Sequence, residues 1–205
     1  MRRLYAILLL FLVVAIGMGF YIHENSQTVN ITIETNGTNI IVKSSTIFFT
    51  STPPGMEEEI AEYISNSIYS PESTPDTIKA DVKLIASKYG YKKVNVHLKS
   101  QFGVDQLPMP AVVKGNSMYP TLKDGQQLIV LKTKDFKVGD IVVAKHPEYG
   151  LIVKRVGKIE GDMVYLMSDN KKTEQVYTGT SILILTPLNT WLPKSSVIGV
   201  VKEIM

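Results

Sequence analysis

The stretch Leu151-Ile152-Val153-Lys154-Arg155-Val156 constrains this chain more than any other. It alternates as a strand does, so Ile152, Lys154 and Val156 share one face and Arg155 points the other way. A lysine flanked on its own face by two β-branched apolar residues is partly desolvated, and burial lowers a lysine pKa by up to about 3 to 5 units. An ordinary lysine, with a reference pKa near 10.4, is neutral in only about one part in a thousand at neutral pH, a penalty of roughly 4 kcal/mol on its use as a base. Burial removes most of that penalty, and the neutral amine can then activate a hydroxyl. A hydroxyl suited to this stands upstream in Gly115-Asn116-Ser117-Met118-Tyr119-Pro120-Thr121-Leu122. Pro120 fixes its own φ and pushes Tyr119 toward an extended conformation, which places Ser117 in a turn.

The two stretches are joined by Gly139-Asp140-Ile141-Val142-Val143-Ala144 and followed by Gly161-Asp162, Ser168-Asp169-Asn170 and Val197-Ile198-Gly199-Val200-Val201. In this order they resemble the type I signal peptidase family, over roughly residues 110 to 201. The resemblance implies a mostly β catalytic domain of the signal-peptidase or LexA-like kind. It makes Ser117 the nucleophile and Lys154 the general base of a membrane-anchored endopeptidase that removes signal peptides from secretory preproteins without a metal or other cofactor. It also implies an oxyanion hole built on the Ser117 backbone N–H, with Met118 and Tyr119 beside it near shallow pockets for small substrate side chains. Many members place a hydroxyl two residues before the nucleophile; here that residue is Gly115. The family's Gly-Asp-Asn box becomes Ser168-Asp169-Asn170, and the bacterial residues beyond it do not carry over to Lys171-Lys172-Thr173-Glu174-Gln175. Ser168, Thr173 and Thr178 are left as hydroxyls able to orient Lys154, and Asp169 reads as structural. Related enzymes carry histidine in place of the lysine, and His146, in a Lys-His-Pro turn, is the residue that could stand in. Two rivals share the signature: a LexA-like self-cleaving protein, and a non-enzymatic membrane-tethered adaptor that keeps the fold.

The chain has no cysteine, which excludes disulfides, thiolate catalysis and zinc–cysteine sites. Its three histidines lie far apart without ligand spacing, and no metal site is expected. A net charge of +3 without a basic run interleaved with aromatics does not point to nucleic acid.

Leu4 to Ile22 carries no charge, and Arg2 and Arg3 precede it. At 1.5 Å per residue such a run crosses most of a hydrocarbon core of about 30 Å. The expectation is a spanning helix with its N-terminus in the cytoplasm and the rest of the chain on the extracytoplasmic side of the lipid bilayer. Val29, Ile31 and Ile33 then alternate up to Asn36-Gly37, a hairpin signal, and Ile40-Ile41-Val42 follows. Met56, Ile60, Ile64 and Ile68 are spaced as a helix, and Thr74-Pro75 opens a second with the stripe Ile78, Val82, Ile85 and Tyr89, ended by Gly90. Val94, Val96 and Leu98 make one more strand. The organisation expected is a membrane anchor and short linker over 1–27, a small α+β domain over 28–104, and a β-rich peptidase domain over 105–205. Gln101 to Pro110 reads as the linker between the last two.

Overall fold

The computed structural model describes residues 2–46, 51–179 and 181–205, with side chains for 5, 9–21, 27–46, 51–173, 179 and 186–205. The chain opens with helix α1 (Arg2–Ser26). Leu9, Phe11, Ile16 and Phe20 on it are 58–72% exposed. Among the described residues no helix is long and apolar enough to cross a membrane, so the spanning helix expected at Leu4–Ile22 is not met there. The described apolar side chains run from 9 to 21, a rise of only about 20 Å.

Strands β1 (Thr28–Thr35) and β2 (Ile40–Thr46) form the expected hairpin. Its loop is closed by Asn36, whose side-chain oxygen accepts from the backbone N–H groups of Thr38 and Asn39. Helices α2 (Met56–Ser67) and α3 (Pro75–Lys88) follow, then β3 (Lys93–Ser100) and β4 (Gly103–Val104). The four strands form one sheet in the order β2-β1-β3-β4, with β1 and β3 parallel. Ile31 and Ile33 from the sheet, Ile60 and Ile64 from α2, and Ile78 and Val82 from α3 are all 0% exposed, so the stripes read from the sequence meet in one core. Thr74 caps α3 in a reciprocal hydrogen-bonded box with Thr77.

The second half is a sheet of seven strands: β5 (Pro108–Val112), β6 (Gln127–Leu131), β7 (Ile141–His146), β8 (Gly150–Glu160), β9 (Met163–Met167), β12 (Thr190–Pro193) and β13 (Val197–Ile204). A separate hairpin of β10 (Glu174–Thr178) and β11 (Ser181–Leu185) stands between β9 and β12 in the chain, and the sequence reading did not anticipate it. The order is β12-β9-β8-β7-β13-β6-β5, every neighbouring pair antiparallel. Gly199 on β13 is required where β13 meets β6, since a Cβ there would lie 2.2 Å from the Leu131 carbonyl oxygen.

Half of the expected linker is strand. Gly103 and Val104 extend the first sheet, and β5 begins at Pro108, inside the stretch read as linker. Proline is tolerated because β5 is an edge strand. The Val113 N–H donates to the Gln126 carbonyl and Leu107 accepts from Lys132. By alternation Pro108, Pro110 and Val112 turn their backbone groups away from β6, so neither proline removes a ladder bond. The two sheets touch through Ile129, which lies close under the Gly37 loop, and through Lys132, whose amine donates to the carbonyls of Ser70 and Ser73 between α2 and α3.

Candidate active site

Strand β8 carries Lys154 opposite Val142 of β7 and leaves it 4% exposed. Across from it, β5 runs out into a turn in which Gly115 adopts φ +81 and donates its N–H to Asp124 at 2.7 Å. A left-handed φ suits glycine, and this kink delivers the chain to Ser117. Met118 and Leu122, both 0% exposed, fasten the turn to the core, and the Tyr119–Pro120 peptide is cis. The result is a separation of 2.6 Å between Lys154 Nζ and Ser117 Oγ, although the two stand 37 positions apart in the chain. Lys154 Nζ also donates to the Val153 carbonyl at 3.1 Å. Burial pushes the Lys154 pKa below the ordinary lysine value, with no charged neighbour contributing. Both residues line a cleft of about 640 Å³ that runs along β5 and β8.

A lowered lysine pKa does not by itself mark a base. Burial also brings Lys132 down to about 8, yet its amine faces two backbone carbonyls. Lys154 differs in facing a hydroxyl.

The turn carrying Ser117 is held from the far side by the segment after β9. The Asn170 N–H donates to the Ser117 carbonyl at 3.0 Å, and its side-chain amide donates to the Asn116 carbonyl at 2.9 Å. Asp169 accepts from Thr121 at 2.6 Å and from Arg155 Nε and NH2 at 2.8 and 2.7 Å. The Arg155 guanidinium, and to a lesser degree Thr121, holds the Asp169 carboxyl below its usual range. One carboxylate thus links the lysine's own strand to the serine's turn, which suits the structural reading of Asp169.

The other residues singled out from the sequence fall as follows. Met118 is packed in the core beneath the turn, and Tyr119 is 47% exposed outside the lining of the cleft. The Ser168 hydroxyl donates to the Leu188 carbonyl at 2.7 Å, Thr173 is exposed, and the side chain of Thr178 lies outside the described residues. Among the described residues, the Val153 carbonyl is the second group bound to the lysine amine. His146 Nδ1 accepts from the N–H groups of Glu148 and Tyr149, closing the turn between β7 and β8. Asp140 caps its turn by accepting from the Lys137 N–H at 2.9 Å. Thr121, Arg155 and Asn170 were not given these roles from the sequence, although Thr121 stands inside the serine motif and Asn170 inside the Ser-Asp-Asn triplet.

Comparison with known proteins defines the class. A family model described as Peptidase S24-like matches residues 91–184. Signal peptidase I of Bacillus licheniformis is 40% identical over 78 residues, covering 33% of this chain and 42% of that protein. Signal peptidase I U of Bacillus subtilis (strain 168) is 36% identical over 78 residues, with the same coverage of 33% and 42%. Signal peptidase I P of Bacillus subtilis subsp. natto is 42% identical over 66 residues, covering 30% of this chain and 36% of that protein. The chain spans less than half the length of these relatives. Together the matches support assignment of the chain to the type I signal peptidase family and support a serine endopeptidase.

Proposed function

We propose that the protein is a signal peptidase acting through Ser117 and Lys154. The observation that carries this reading is the 2.6 Å contact between a buried amine and a hydroxyl at the wall of an open cleft. Neutral Lys154 takes the Ser117 proton as the oxygen attacks the scissile carbonyl, and the Ser117 backbone N–H donates to the developing oxyanion. Collapse expels the new amine, which receives the proton from the Lys154 ammonium, and leaves an acyl group on Ser117. Lys154 then takes a proton from water, hydroxide attacks the ester, and Ser117 is regenerated with its proton returned from Lys154. The open edge of β5, along the same cleft, offers backbone groups to an extended substrate.

The reading includes membrane attachment through α1, with the domains at 28–104 and 105–205 on the extracytoplasmic side. It is supported by the uncharged run Leu4 to Ile22, which is longer than the stretch with described side chains, and by the exposure of the apolar residues on that helix. Sodium carbonate extraction of membranes tests it: the full chain should stay with the pellet and a chain starting at residue 27 should not.

For the chemistry, Ser117→Ala and Lys154→Ala should each lower processing of a preprotein by more than about 10³-fold. A serine-directed acylating probe should label the wild type and not Ser117→Ala. Full activity in either variant ends the assignment.

A further inference from the structure

The segment between α2 and α3 belongs to the first sheet's half of the protein, yet it reaches the catalytic cleft. Tyr69, 59% exposed, lines the same cleft as Ser117 and Lys154. The residues after it are pinned to the peptidase half: Lys132 donates to the carbonyls of Ser70 and Ser73, and Glu72 pairs with Lys145 at 3.0 Å. Beyond the segment a second hollow of about 770 Å³ opens against Lys132, Lys134 and Lys145, so it runs as a strap between two depressions.

The register of the strands gives its place along the cleft. Lys132 follows β6 and pairs with Leu107 at the start of β5, the end remote from Ser117. Lys145 pairs with Leu151, three positions along β8 from Lys154. At about 3.3 Å per residue the Lys145–Leu151 offset puts the nearer part of the strap about 10 Å along β8 from Lys154, or about three residues of an extended substrate, with the Lys132 contact farther off. The wall there is apolar and open: Tyr149 and Leu151 are exposed by 61% and 50%. An aromatic ring beside such side chains favours a bulky apolar group over a charged one.

We propose that this strap closes the far end of the substrate cleft, and that Tyr69 selects a bulky apolar side chain at least about three residues from the scissile bond. The proposal rests on the peptidase reading above, and it gives the residues around α2 and α3 a part in substrate choice.

The test uses the full chain in detergent and two synthetic peptides with one cut site. One has five residues, apolar at the outer positions, on each side of the bond; the other is cut back to two on each side. The wild type should prefer the longer peptide, and Tyr69→Ala should lower the ratio of kcat/KM values, long over short, by about tenfold, as expected for loss of one buried aromatic contact. Tyr69→Phe, which keeps the ring, should preserve the ratio. An unchanged ratio in Tyr69→Ala, or a wild type indifferent to length, overturns the proposal while leaving the peptidase reading intact. A wild type that cleaves neither peptide and leaves the serine probe unreacted overturns both.

Discussion

Thr121 donates to Asp169 at 2.6 Å, and the carboxylate that receives it is the one held by Arg155. The side chain of Asp169 is only 12% exposed, so this joint between the serine's turn and the lysine's strand is shielded from solvent on one side. A carboxylate tied to a guanidinium by two parallel hydrogen bonds fixes orientation as well as distance.

Asp169→Asn should therefore loosen the Ser117 turn without touching the reacting groups. A loss of about 1 to 3 kcal/mol is expected, below the cost of breaking a fully buried pair because Arg155 is partly exposed. Because the folded pKa of Asp169 lies below its ordinary value of 3.8, the stability it contributes is present above that value and is lost as pH falls through the folded one. Thermal unfolding from pH 7 down to about pH 2 should show the wild type losing its margin over the variant on the acid side. A constant margin would count against the pairing.

The pH dependence of cleavage follows from Lys154. Its pKa is lowered by burial, and below that value the protonated amine cannot accept the Ser117 proton. kcat/KM should rise with pH through the lowered value and level off beneath the ordinary lysine value of 10.5. Lys154→Arg, which stays charged at every accessible pH, should be inactive throughout. A measured profile without an acid limb, or an active arginine variant, rules out lysine as the base.

Lys132 should leave its mark on stability. Its folded pKa of about 8 lies below the ordinary 10.5, so the folded protein binds fewer protons than the unfolded chain between those values. The cost of burying the charge is present below about pH 8 and is relieved as pH rises toward 10.5. Denaturant titrations across this window should give a positive slope of stability against pH that is smaller in Lys132→Met. Equal slopes in the two proteins would contradict it.

The glycines at 115 and 199 should fail differently. A Cβ at Gly199 would meet the Leu131 carbonyl at 2.2 Å, so Gly199→Ala should push β13 from β6 and cost about 2 to 3 kcal/mol. Gly115 has open space around it but φ +81, so Gly115→Ala should cost about 1 to 2 kcal/mol from backbone strain alone. Melting temperatures of the two variants decide the order.

Much of the architecture was legible because it depends on local periodicity. The stripes of α2 and α3, the Thr74 cap and the β1–β2 hairpin were read from spacing, and each is found where spacing put it. Lys154 was legible as a lysine on an apolar face, and its burial follows from that pattern. What stayed hidden depends on contacts through space. Nothing near Ser168 in the chain says that its hydroxyl turns to Leu188. Nothing near Tyr69 says that the loop after α2 reaches the cleft lined by Ser117 and Lys154. The start of β5 was misread as linker because prolines signal a break, and only the sheet order reveals that they sit on an edge.

Those prolines bear on how the protein avoids its own copies. Two of the three positions of β5 that face outward, 108 and 110, have no hydrogen to donate. Two molecules meeting edge to edge through this strand could form only a sparse set of bonds, so stacking into dimers or fibres gains little. A visiting polypeptide that brings its own donors still finds the carbonyls of Pro108 and Pro110 waiting, which lets one rim refuse its twin and still receive a guest.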